Sequence, residues 1–148
     1  MNELWTLGIV LVLTACSAND NCLEHCSSSA SISVTRASGD FTAVDTTVDI
    51  EGEVDGAPAK NRCRLRVTAG TCDSADGLLV VQATKATGDR VTALTVFPRV
   101  GATRVTFRLT STAGAVLVPN TSASLTYNEQ RVSSSCSCKQ GHTAVVVP

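Results

Sequence analysis

From residue 27 onward no apolar pattern of helical period persists over 11 or more residues, whereas strict alternation of apolar and polar residues keeps recurring. Val48, Ile50 and Val54 alternate with Asp49, Glu51 and Glu53. Cys63, Leu65 and Val67 alternate with Arg62, Arg64 and Arg66, and Val105, Phe107 and Leu109 with Arg104, Thr106 and Arg108. A strand points successive side chains to opposite faces, so each run predicts one face on a core and one in water. Strands are expected at about residues 31–35, 46–54, 62–68, 78–84, 91–97, 104–110, 115–118, 122–128 and 143–147. Between them, Asp55-Gly56, Asp76-Gly77, Gly88-Asp89, Gly101 and Gly114 supply the backbone freedom or side-chain turn bonding that reversal requires. The evenly spaced strands predict an all-β fold, a small antiparallel β-sandwich over residues 31–148. No internal repeat of 20–50 residues is present.

Two of these runs carry opposite charge on their polar faces, which predicts that they pair. With Glu53 facing Arg62, Glu51 faces Arg64 and Asp49 faces Arg66, while Ile50 meets Leu65 and Val48 meets Val67. A slip by one residue would bury the charges. Read instead as a ligand set, Asp49, Glu51, Glu53 and Asp55 suggest a calcium or cationic-ligand site, but three arginines compensate them. Arg104 and Arg108, with Arg99 nearby, make an anion-binding patch conceivable; a solvated strand face is the simpler expectation.

The N-terminal segment reads differently. Leu4 to Ala15 is an apolar run ending in small residues, too short for a spanning helix and shaped like a secretory h-region with its cleavage site. Leu13-Thr14-Ala15-Cys16 resembles the lipobox of bacterial lipoproteins, although Met1-Asn2-Glu3 lacks the family's usual basic residues. The resemblance implies a signal peptide over residues 1–15, cleavage before Cys16, and a Cys16 thiol carrying lipid. An acylated N-terminus and tether, including Ser27-Ser28-Ser29, would then occupy residues 16–30 and hold the protein to the membrane. Ser17, where enteric lipoproteins retained in the inner membrane carry Asp, implies the outer membrane of the cell envelope.

The cysteines are seven, an odd number, and acylating Cys16 leaves six: Cys22, Cys26, Cys63, Cys72, Cys136 and Cys138. In an oxidising compartment these predict up to three disulfides. Cys63 and Cys72 enclose a short loop and are expected to pair with each other, which leaves Cys22 and Cys26 for Cys136 and Cys138. The alternative is a metal site on Cys22, Cys26, Cys136 and Cys138, near His25 and His142; its C-x-C half is a poor bite for zinc. Disulfides are the expectation, with no metal and no other cofactor. Tyr127, near Leu125, resembles the late-strand tyrosine of immunoglobulin-like domains, but Glu129 stands where those domains have a cysteine. That resemblance implies no more than an immunoglobulin-like sandwich.

Composition narrows function mainly by exclusion. Twelve Lys and Arg against 13 Asp and Glu leave a net charge of -1, which speaks against a nucleic-acid partner. Aromatic residues make up 3% of the chain, too few for base-stacking or sugar-stacking platforms. G-x-S-x-G, H-E-x-x-H, P-loop and dinucleotide fingerprints are all missing, so no enzyme is expected. Asn120-Thr121-Ser122 fits a glycosylation sequon, of little meaning in a bacterial lipoprotein. The expectation is a non-catalytic binding or structural accessory module whose partner is an envelope protein or glycan. Alternatively it is a subunit of an envelope assembly in which Thr143 to Val147 pairs with another chain's edge.

Overall fold

The computed structural model describes residues 27–68, 70–74, 79–133 and 136–148. The expected signal segment, with Cys16, Cys22, Cys26 and His25, lies outside them, as does the Asp76-Gly77 turn. The described chain is all-β, two antiparallel-rich sheets packed face to face around one core. In chain order the strands are β1 (Ser29–Arg36), β2 (Thr42–Ala43), β3 (Thr47–Val54), β4 (Ala57–Arg64), β5 (Thr71–Cys72) and β6 (Leu79–Thr87). They continue with β7 (Arg90–Pro98), β8 (Arg104–Ser111), β9 (Val116–Ser124), β10 (Tyr127–Arg131) and β11 (Ser137–Val147). One sheet runs β10-β11-β1-β7-β2, with β6 on the other side of β7; the second runs β5-β4-β3-β8-β9. All pairings are antiparallel except that of β1 with β11.

Alternation delivers the core of β3 and β8 as expected: Val48, Ile50 and Val54, and Val105, Phe107 and Leu109, are buried while their sequence neighbours face outward, and Ile32 and Val34 of β1 join them. Apolar burial of this kind is the main favourable term of folding.

The charged hairpin forms, but in a different register. Asp55 and Gly56 both adopt left-handed backbone (φ 50° and 83°), the geometry of a two-residue hairpin turn, so β4 starts at once and Val54 pairs with Ala57. Asp49 therefore faces Arg62, Glu51 faces Lys60, Glu53 faces Pro58, Ile50 faces Asn61 and Val48 faces Cys63. The expected second strand at 62–68 is replaced by one at Ala57–Arg64, and Arg64 and Arg66 converge on Asp45 instead.

Three further boundaries move. The stretches expected at 115–118 and 122–128 form one strand, β9, followed by the separate β10, so Tyr127 opens a strand rather than closing one. β11 begins at Ser137, well before residue 143, because its first half pairs with β10 and its second half with β1. β1 already includes Ser29, and Ser28 Oγ accepts a hydrogen bond from the Lys139 amide at 3.1 Å, so the serine tract belongs to the folded unit.

Cys63 and Cys72, directly opposite each other on β4 and β5, form a disulfide, as expected. In the chain-entropy picture, closing so short a loop contributes about 2–3 kcal/mol. Cys136 and Cys138 are buried and disulfide-bonded as well. Among the described residues no helix is long and apolar enough to cross a membrane.

A candidate binding groove on the outer face of one sheet

The outer face of the β5-β4-β3-β8-β9 sheet holds a groove of about 760 Å³. Its centre is β3, where Glu51 and Glu53 point to solvent on either side of Gly52. Register sets the rest. One row across the sheet reads Lys60–Glu51–Arg108, and the next reads Pro58–Glu53–Thr106–Ser122, with Asn120 of β9 closing the side.

Gly52, between the two glutamates, shares the inward parity of Val48, Ile50 and Val54 and pairs with the buried Phe107. A Cβ built on it would stand 1.8 Å from the Thr106 carbonyl oxygen and 2.8 Å from Phe107 Cα, so β3 and β8 approach more closely here than any side chain allows. A glycine in an otherwise alternating strand was the signal in the sequence, and alternation alone passes over it. Lys60 lies two residues before the expected strand at 62–68 and joins the groove because β4 starts at Ala57.

The groove carries both signs of charge without internal pairing. Five ion pairs occur among the described residues, and none involves Glu51, Glu53, Lys60 or Arg108. The aspartates behave differently. Asp49 holds Arg62 through two hydrogen bonds of 2.7 and 3.1 Å, and Asp40 accepts one of 2.7 Å from Arg90. Asp55 accepts from the amides of Arg104 and Thr103, each at 2.9 Å, from the Thr103 hydroxyl at 3.0 Å and from Arg99 at 2.7 Å.

These bonds favour the ionised carboxylates. The Arg104 and Thr103 amides, ahead of Arg99, hold Asp55 below the usual carboxylate range; hydrogen bonds from Arg90, Arg66 and Arg62 do the same for Asp40, Asp45 and Asp49.

The acidic residues Asp49, Glu51, Glu53 and Asp55 thus do not converge on one cation. Asp49 is engaged by an arginine, Asp55 ties the β3–β4 turn to the start of β8, and the two glutamates open into the groove. Among the described residues no group of three or more His, Cys, Asp and Glu could hold a metal ion. Of the arginines named for an anion patch, Arg99 is paired with Asp55, Arg108 lies in the groove, and Arg104 is exposed at the start of β8. His142 faces outward on β11, with its Nδ1 3.0 Å from Ser31 Oγ. Cys136 and Cys138, both in disulfides, offer no thiolate to a metal.

Tyr127 ties β10 to the loop between β7 and β8. Its hydroxyl donates to the Ala102 carbonyl at 2.8 Å and accepts from the Gly101 amide at 3.1 Å, while its ring covers Gly141 across the β10–β11 pair. No family model, curated protein or solved structure matches the chain.

Proposed function

We propose that the protein is a bacterial envelope lipoprotein, acylated at Cys16 and carried by that lipid on the outer membrane, which docks another envelope protein through the β3 groove without catalysis. The anchor rests on the Leu13-Thr14-Ala15-Cys16 run. The docking rests on one observation, the unpaired carboxylates Glu51 and Glu53 flanked by unpaired Lys60 and Arg108. Such a surface neither attracts nor repels a ligand by net charge, and it favours a partner whose own acids and bases match it position by position. A sugar chain fits it less well, since the groove's one aromatic residue, Phe107, is buried. Both glutamates are open to solvent and so accessible to a docking partner.

Two measurements test the reading. Cys16→Ser abolishes fatty-acid labelling and recovery in the membrane fraction; continued labelling would refute the anchor. For the groove, a photocrosslinker at Thr106 in cells expressing the full chain yields one protein adduct, lost in Glu51→Lys/Glu53→Lys and weakened by high salt. An adduct indifferent to charge reversal and salt, or one made of glycan, would overturn protein docking.

A further inference from the structure

β11 outruns its neighbour. Its antiparallel partner β10 accompanies it only to the Tyr127–Gly141 pair, whereas β1 pairs with it in parallel through Val147. From His142 to Val147 the side facing away from β1 has no strand hydrogen-bonded to it among the described residues, although β9 of the other sheet packs near β11. Along this free stretch His142, Ala144 and Val146 face outward, and Val146, 69% exposed, is the most exposed large apolar residue described. Thr143 and Val145 point inward but remain half-exposed at the rim of the sandwich.

The other sheet edges are each blunted against pairing. β9 has Pro119 at its centre and a register shift opposite β8. β6 is broken by shifts around Lys85. β10 carries Glu129 and Arg131, β2 and β5 are two residues long, and the stretch of β4 that β5 leaves uncovered carries Pro58, Lys60 and Arg62. Proline, bulges, charges and short length are the usual protections of an exposed edge. Thr143-Ala144-Val145-Val146-Val147 has none of them.

We infer that this edge is where a second copy of the chain adds, antiparallel across a two-fold axis through Val145, joining the two copies' sheets into one. The axis places residues of the edge beside their own copies, so a charged edge would repel itself. Gln140 to Pro148 contains no Asp, Glu, Lys or Arg. With the axis at Val145, Ala144 faces the partner copy's Val146 on the outer side and Thr143 faces its Val147 on the inner side. Large side chains then meet small or β-branched ones on both faces. A strand from an unrelated protein would need the same neutral, alternating character, which the copy supplies by symmetry. So short an edge is small beside the ~1,200–2,000 Å² of a stable complex, so the dimer is weak and reversible. The inference rests neither on the lipid anchor nor on the groove.

Sedimentation velocity on the full-length chain over a broad concentration range tests it. Dimer is expected to grow with concentration, and hydrogen exchange at residues 143–147 to slow in step. Val146→Lys and Val146→Glu each weaken association about tenfold or more with unchanged melting temperature, because the two copies of residue 146 are diagonal neighbours across the axis. An equimolar mixture of the two variants restores the dimer, and Val146→Thr retains it. A monomer at every concentration, protection that arises elsewhere, or a mixture no better than either variant alone would overturn self-pairing. So would protection of 143–147 by an unrelated extended peptide while the chain itself stays monomeric.

Discussion

Asn61 shows how much a single polar residue organises here. It is buried on β4, and its amide nitrogen donates to the carbonyls of Ser74 and Leu79, both at 3.0 Å. Its side-chain oxygen accepts from the amides of Arg62 at 2.9 Å and Ser74 at 3.2 Å. One side chain thereby fastens the segment after β5 to the sheet, beside the Cys63–Cys72 disulfide. Asn61→Ala leaves the buried Leu79 carbonyl and the Ser74 groups without these partners, a loss of about 1–3 kcal/mol. Urea denaturation measures it, and Asn61→Asp, which keeps an acceptor but loses both donors, is expected to be no more stable than the alanine variant. A loss under about 0.5 kcal/mol for the alanine variant would show that the bonds are replaced. In sequence Asn61 reads as a polar interruption ahead of a strand. Its partners lie 13 and 18 residues away, so local pattern could not assign its role.

At the scale of elements, the β3–β4 hairpin explains why complementarity of charge is not enough to set register. Sliding one strand by an even number of residues keeps every side chain on its face, so acidic and basic residues remain on the outer face in either register even though individual partners change. The expected and observed pairings differ by such a slide, four residues, with Arg62 moving from Glu53 to Asp49. What decides between them is the turn: left-handed backbone at both Asp55 and Gly56 closes a two-residue loop and starts β4 at Ala57. Arg62→Glu places two carboxylates opposite each other at Asp49 and is expected to lower the melting temperature by about one to four degrees, part of which Asp49→Arg restores. The same exchange between Arg64 and Glu51 gives no such rescue. Rescue at Glu51 rather than Asp49 would contradict the register.

The whole molecule is tied together by aspartates that reach between elements. Asp40 joins the segment after β1 to β7, Asp45 the segment before β3 to residues 64 and 66, Asp49 β3 to β4, and Asp55 the hairpin turn to the entrance of β8. Their folded pKa values lie below the ordinary carboxylate value, so the folded state binds fewer protons there than the unfolded chain does. Their stabilisation is therefore complete above the unfolded pKa of about 4 and is lost as pH falls through the lower folded values. Thermal melts should stay nearly level from about pH 7 to 5 and drop below about pH 4. A melting temperature unchanged at pH 2.5 would refute this linkage.

Composition, period-two alternation and cysteine spacing by themselves determined that the chain is all-β, which residues of β3 and β8 enter the core, and that Cys63 bonds Cys72. Each of these follows from short-range physics: side-chain direction repeats every two residues, and a nine-residue separation brings two thiols together easily. Only the tertiary structure decided the hairpin register, the parallel seam of β1 with β11, the groove over Gly52 and the free edge beyond Gly141. Those depend on which distant strands lie side by side and how closely their backbones approach. Ser29 and Gln140 are partners across more than a hundred residues of chain, and no local periodicity records that they meet.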